Sequence, residues 1–417
     1  FSSSWARAPD AQIPTASAAH NRNHTTGRPF PHLRLCGSAR ESAPSLRSLR
    51  LCASPPLRAP ARPSVPPLRA PSTAPILPPR SPDVVVAAVA RLSHVAYRSS
   101  LIAYTPPMPE LPDVEVYVEH LRRRVAGKVL RAVRLRSPFL VRTVAPPLSS
   151  TAGRTVRNVH RLGKRIVFDL GDDLFLVLHL MIAGRLHWKK PGARPPGKIG
   201  LAAFEFDGGA LVLTEASAKK RAALHLVRGR EALAALDRGG IEPLEADRVA
   251  FGEALRRENH TLKRALTDPR LLSGIGNAYS DEILHRARLS PMKLTTALSD
   301  EEVAGLHAAT QAVLREWTER LRAAAGDAFP EKVTAFREGM AVHGRYGKPC
   351  PTCGTLLQRI RYAANEANYC PRCQTGGKLL ADRSLSRLLH DDWPKTIDEL
   401  EERRAARPGS VYPPSSK

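Results

Sequence analysis

Three short stretches of this chain hold residues whose types and spacing can do chemistry. The first is MPELPDVE, residues 108–115. With Met108 as the start and removed, Pro109 becomes a free secondary amine. Its lone pair can attack C1′ of a nucleoside and expel the base, leaving an iminium. The iminium acidifies the C2′ proton and opens a route to elimination. The amine must be unprotonated, which burial or a cationic neighbour favours. Glu110, next in line, can donate and accept protons. The same residues also suit a Pro-rich turn that caps the following helix.

The second stretch is CPTCG…NYCPRC. Cys350 and Cys353 form one pair and Cys370 and Cys373 the other, with 16 residues between the pairs. Four thiolates at this spacing on a β-hairpin fit one structural Zn2+ ion in tetrahedral coordination. So small a segment cannot bury a core of its own, so the metal supplies its folding energy. The third stretch is LKRALTDPRLLSGIGNAYSDEILHRARLSP, residues 262–291. A helix ends near Leu272, SGIGN makes a tight turn, and a second helix starts at about Ala278. The glycines let backbone N–H groups and the Asn277 amide approach a phosphate closely. Lys263 adds a charge-assisted phosphate contact. Such contacts position a protein on a nucleic acid without reading its sequence. An ordinary Gly-linked helical hairpin fits the same residues.

These groups need elements to hold them. PDVEVYVEHLRRRVAGKVL, from Pro112, reads as a helix with a Val114, Val116, Val118, Leu121 stripe. Strand-like runs follow in RIVFDL, LFLVLHLMI, LAAFEF and ALVLTE, split by Gly-Asp and Gly-Gly turns. Residues 247–325 are helical in pattern. The fold class expected is α+β: an N-terminal helix plus β-sandwich domain, a helical helix–two-turn–helix domain, and a C-terminal zinc-finger β-hairpin. The expected divisions are 108–240, 247–340, 341–380 and a helical tail over 381–417. Residues 1–107 differ in kind, with about half of the prolines, thirteen arginines, no lysine and three acids. They read as a disordered or non-native upstream extension, the alternative being an Arg/Ser-rich transit peptide. The 417 residues carry a net charge of +25, which points to a polyanionic partner. No apolar run is long enough to span a membrane.

In this order and spacing the motifs resemble the formamidopyrimidine-DNA glycosylase/endonuclease VIII family, over nearly all of residues 108–390. MPELPDVE is similar to that family's MPELPEVE start, SGIGNAYSDEIL to its helix–two-turn–helix, and the four cysteines to its zinc finger. The resemblance implies a DNA glycosylase and abasic-site lyase that removes oxidised or ring-opened bases. Pro109 would be the Schiff-base nucleophile, Glu110 the proton donor, and Lys164, in HRLGKRIVFDL, the strand lysine near the scissile phosphate. His179, matching the histidine of HLGMSG, would contact phosphate with Lys263 and Asn277. Arg345, in HGRYGKPC, matches the YGR lead-in to the finger and is implied as a further DNA-binding residue. The partner implied is damaged double-stranded DNA, bound by a monomer without small-molecule cofactor or membrane. The location implied is cytoplasm or nucleoid, or an organelle if residues 1–107 are a transit peptide.

The chain also departs from the family. Asp113 replaces a glutamate, Ile182 a wedge methionine, and TEASAKKRAALHLV the Asp-Pro-Arg-Arg-Phe-Gly loop. Asn365 stands where the finger has an arginine, with Arg361 four residues earlier. GDAFPEKVTAFREGM has lost the usual damaged-base loop sequence. These departures leave open a damaged-DNA-binding protein without catalysis on the same scaffold. A zinc-ribbon RNA-binding or translation factor is a third reading, which leaves Pro109-Glu110 unexplained.

Overall fold

The computed structural model describes residues 108–331, 337–362, 365–382, 386–387 and 393–406. The extension expected over 1–107 lies outside the described residues, as does part of the expected tail.

Helix α1 spans Leu111–Val125. Pro112 sits in its first turn, where a missing N–H costs nothing. Asp113 accepts the Glu110 backbone N–H at 2.9 Å, closing the N-terminus. Arg122, Arg123 and Arg124 lie in the last turn, against the negative end of the helix dipole. The helix stops short of the Leu130 that its sequence pattern suggested. Gly127 at φ 75 turns the chain, and Val129 and Leu130 open a strand instead.

Nine strands then build two antiparallel sheets. One has the order β2-β1-β7-β8-β6, from Arg154–Thr155, Val129–Leu135, Gly200–Phe206, Gly209–Glu215 and Gly184–Lys189. The other has the order β3-β4-β5-β9, from Asn158–Leu162, Arg165–Asp169, Leu174–His179 and Ala223–Arg228. Their shared core holds Ile166, Phe168, Leu176, Leu178, Phe204, Leu211, Leu213 and Leu226. Val114, Tyr117, Val118, Leu121 and Val125 of α1 enter the same core at helical spacing. A short helix α2, Arg230–Ala234, follows.

The second core is helical. Helices α3 (Arg248–Arg256), α4 (Leu262–Thr267), α5 (Asn277–Arg286) and α6 (Asp300–Ala325) pack around Phe251, Leu266, Leu272, Ile283, Leu306 and Leu314. Ser299 and Glu302 cap α6 reciprocally. Leu111 belongs to this core, not to that of its own helix. The start of α1 is therefore pinned at the seam between both cores.

The C-terminal hairpin pairs β10 (Gln358–Tyr362) with β11 (Asn365–Tyr369), followed by α7 (Pro371–Thr375) and α8 (Ile397–Ala405). The architecture is α+β as expected: helix plus β-sandwich, a helical unit, and a cysteine-bearing hairpin.

Candidate active site and metal centre

Pro109 and Glu110 are both buried, immediately before the seam residue Leu111. The Glu110 carboxylate accepts three backbone N–H groups at the start of α5. These come from Gly276 at 2.7 Å, Ala278 at 2.8 Å and Tyr279 at 3.2 Å. A helix N-terminus presents unpaired N–H groups and positive potential, so it is a seat for an anion. Here the anion is Glu110. This corrects the expectation for Gly276, whose N–H was to face a phosphate and is taken by Glu110.

The GIG turn makes this approach possible. Gly274 has φ 81, and a Cβ there would lie 2.9 Å from the Leu111 Cβ. Its carbonyl accepts the Leu111 N–H at 2.9 Å. A Cβ on Gly276 would overlap the Glu110 carboxyl carbon and lie 2.7 Å from Lys164 Nζ. Glu110 and Lys164 thus converge on one glycine, 166 residues beyond Glu110 in sequence.

Lys164 lies at the tip of the β3–β4 hairpin, where Leu162 pairs with Arg165. Gly163 supplies the positive φ, 59°, that a tight hairpin turn needs. Lys164 is half-buried. Burial pushes its ammonium below the usual lysine range; Glu110 opposes this and Lys263 adds to it. Across the ladder from Arg165, His179 ends β5. Burial, with Arg165, Lys164 and His225 nearby, lowers its imidazole to about 3. Its Nε2 is buried without a hydrogen-bond partner among the described residues. Lys164, Arg165 and His179 therefore form a cationic and donor-rich edge beside Glu110.

Two of the residues expected to bind DNA are engaged with the protein's own groups. Lys263 is buried, and its Nζ donates to the Asn277 carbonyl at 2.6 Å, Ser280 Oγ at 2.8 Å and Asp281 Oδ1 at 2.6 Å. All three ammonium donors are used, so the side chain organises the turn from inside and offers no free N–H to a phosphate. Arg345 donates to the carbonyls of Met340 at 3.0 Å and Pro349 at 3.2 Å, bracing the loop that leads to the hairpin. Asn277 stays half-exposed as the first residue of α5.

Several site residues carried no advance signal. Asp113 accepts from Arg337 at 2.8 Å as well as from the Glu110 N–H, linking a distant loop to the first turn of α1. Burial raises the Asp113 carboxyl to about 6, against the pull of Arg337. On α5, Asp281 binds Lys263, His343 Nδ1 at 2.7 Å and Asn368 at 3.2 Å. Its neighbour Glu282 accepts the N–H groups of Ala341, Val342 and His343 at 2.7–2.9 Å. These two acids tie the helical unit to the hairpin.

The four sulfurs of Cys350, Cys353, Cys370 and Cys373 lie within 4.8 Å of one another. Two of the separations are 4.0 Å and 3.4 Å. A tetrahedron with ~2.3 Å Zn–S bonds spaces its sulfurs by about 3.8 Å, so the donor set fits zinc and is far too open for disulfides. A second cluster, Glu258, His260 and Asp268, is bridged by Arg270, which donates to Asp268 at 2.7 Å and Glu258 at 3.2 Å. Its cation is that arginine. Asn365 opens β11, and its side chain lies outside the described residues; the Arg361 side chain is exposed.

Residues 108–221 match the formamidopyrimidine-DNA glycosylase N-terminal domain, residues 240–324 its H2TH domain, and residues 347–376 the zinc finger found in FPG and IleRS. The chain is 35% identical over 281 residues to the formamidopyrimidine-DNA glycosylase of Heliobacterium modesticaldum, covering 64% of this chain and 100% of the relative. It is 34% identical over 276 residues to that of Laribacter hongkongensis, again covering the whole relative. Among solved structures, the Lactococcus lactis Fpg in complex with abasic-site DNA superposes with a TM-score of 0.58 at 27% identity. That match covers 64% of this chain and 99% of the other. A Lactococcus lactis Fpg mutant bound to Fapy-dG DNA gives the same score and identity.

Proposed function

The chain belongs to the formamidopyrimidine-DNA glycosylase family and is a zinc-finger DNA-repair glycosylase. From that premise we propose a bifunctional enzyme that expels an oxidised or ring-opened base and then cleaves the strand. The single observation that carries this reading is the convergence of Glu110, the residue after Pro109, and Lys164 at the α5 N-terminus. Solved structures similar to it hold abasic-site and Fapy-dG DNA, which supports damaged duplex DNA as the partner.

In this reading the Pro109 amine attacks C1′ and the C1′–N bond breaks, its electron pair leaving with the base. Glu110 delivers the proton that the ring oxygen or base takes up and later removes others. The iminium draws electrons from C2′, so loss of a C2′ proton expels the 3′ phosphate by β-elimination. Lys164, its ammonium pushed below the usual lysine range by burial and set next to Arg165, which pairs with His179, attends that phosphate. The zinc ion holds the hairpin in shape and takes no part in the bond changes.

The test uses protein started at Met108, whose mature N-terminus is Pro109. The family match begins at residue 108, and the relatives are matched over their whole length, so this segment corresponds to a complete relative. Borohydride should trap a covalent adduct with abasic-site DNA. Pro109→Gly should keep DNA binding and lose most excision, and Glu110→Gln should bind and fail to turn over. Full activity in Glu110→Gln would remove that carboxylate from the mechanism. A damaged-DNA-binding protein without catalysis would give no adduct at all.

A further inference from the structure

Helix α5 seats Glu110 at its N-terminus, and its last turn reaches the metal centre. His285 lies in that turn, buried, with its Nε2 3.3 Å from Cys350 Sγ. The contact is not isolated. One turn earlier, Glu282 accepts the N–H groups of Ala341, Val342 and His343, in the segment that leads to Cys350. Asp281 accepts the side-chain amide of Asn368 on β11, two residues before Cys370. Arg345 donates to the carbonyl of Pro349, the residue before Cys350. One side of α5 thus fixes where Cys350 stands, and His285 carries that grip to the sulfur itself.

Four thiolates outweigh the charge of one Zn2+, so the filled centre is an anion. A buried anion is costly unless N–H groups are aimed at it. The finger's own backbone offers long contacts: Thr352 N–H lies 3.4 Å from Cys350 Sγ, and Cys373 N–H lies 3.5 Å from Cys370 Sγ. His285 adds a donor from the helical unit. A zinc-bound thiolate has no proton to give, so in a His285–Cys350 hydrogen bond the imidazole must be the donor. That requires the ring to carry hydrogen on Nε2.

We propose that His285 is a positioning residue of the metal centre. Its Nε2–H donates to the Cys350 thiolate, draws charge from that sulfur and slows the loss of zinc. It coordinates no metal itself, and the inference holds whether or not Pro109 is the nucleophile. Removing such a partner of a metal ligand costs about 10- to 100-fold in metal affinity.

The experiment uses protein started at Met108, whose cysteines are the four of the finger. His285→Phe keeps a flat ring without the N–H, and His285→Gln returns an amide N–H near the Nε2 position. Under excess chelator, His285→Phe should release zinc at least about tenfold faster than wild type, and His285→Gln should restore most of the retention. With cobalt in place of zinc, the sulfur-to-metal charge-transfer band should move to lower energy in His285→Phe and back towards wild type in His285→Gln. A hydrogen bond stabilises the sulfur electrons, whereas a side chain that only fills space would leave the band where it is. Wild-type release or an unmoved band in His285→Phe overturns the proposal. So does a failure of His285→Gln to restore both. If His285→Phe does not fold, NMR of the wild type carrying cadmium-113 decides. Spin coupling between the His285 Nε2–H and the metal passes through the hydrogen-bonded sulfur and upholds the proposal; an Nε2 without hydrogen, or no coupling, overturns it.

Discussion

At the scale of single residues, two polar side chains expected to do the same work part company. Asn277 is half-exposed at the head of α5, whereas Lys263 is buried with its donors spent on Asn277, Ser280 and Asp281. Lys263→Met should therefore act on stability. It leaves Asp281, fully buried, without its lysine, at a cost of about 3–5 kcal/mol. Asn277→Ala should leave stability alone and weaken every duplex by about 1 kcal/mol. Urea unfolding and DNA titration of both variants check this; a Lys263→Met protein of native stability would put the ammonium outside. His179 makes a pH prediction. Its folded imidazole is lowered to about 3 by burial and by Arg165, Lys164 and His225, whereas the unfolded chain titrates near the ordinary 6.5. Below pH 6.5 the unfolded chain takes a proton that the folded form refuses, so stability falls as pH drops towards about 3 and is flat above 6.5. Asp113, raised to about 6, slopes the other way, losing stability as pH rises from 3.8 to about 6. Comparing His179→Gln with wild type isolates the histidine. The variant's urea midpoint should fall less steeply with acid; an identical slope would mean the ring is solvated.

At the scale of elements, the turn between α4 and α5 matters more than either helix. Gly276→Ala would push a methyl group against the Glu110 carboxyl and Lys164 Nζ. Excision should fall at least about a hundredfold while zinc content stays at one ion, because the clash lies far from the cysteines. Retained activity would mean that the carboxylate can shift without loss. The hairpin gives the complementary case. Cys370→Ser should release the metal and weaken DNA binding while the sandwich core survives, and zinc analysis beside a melting curve would show it. The sequence made parts of this legible. Apolar runs bounded by glycine turns marked β4, β5, β7 and β8, and paired cysteines marked the metal site, because each is a local pattern. It did not reveal β6 or β9, in which His187 and His225 interrupt the apolar pattern. Nor did it show that the Gly276 N–H belongs to Glu110, a contact across 166 residues that no local pattern records. The Asp113–Arg337 pair was hidden for the same reason.

At the scale of the whole molecule, charge and chemistry separate. The first 107 residues carry thirteen of the arginines and three of the acids, so +15 of the net +25 belongs to the remainder. Within that remainder, Lys219, Lys220 and Arg221 are exposed beyond β8, available to phosphates. Binding to duplex DNA should then weaken steeply with salt, the logarithmic slope counting the phosphates neutralised, and depend little on flanking sequence. The full 417-residue chain adds ten net positive charges, so its slope should be steeper and its low-salt affinity higher than those of protein started at Met108. Its chemistry should be poorer. With residues ahead of it, Pro109 is a tertiary amide whose lone pair is delocalised into the carbonyl and cannot attack C1′. The two proteins should therefore rank in opposite orders: the longer binds more tightly at low salt, and only the shorter gives a borohydride-trapped adduct with abasic-site DNA. Salt titrations and trapping on the same duplex test both halves at once. An adduct from the longer protein, with its N-terminus verified by sequencing, would exclude Pro109 as the nucleophile. Lys164, half-buried with its ammonium lowered below the usual lysine range, would then be the amine to replace by methionine.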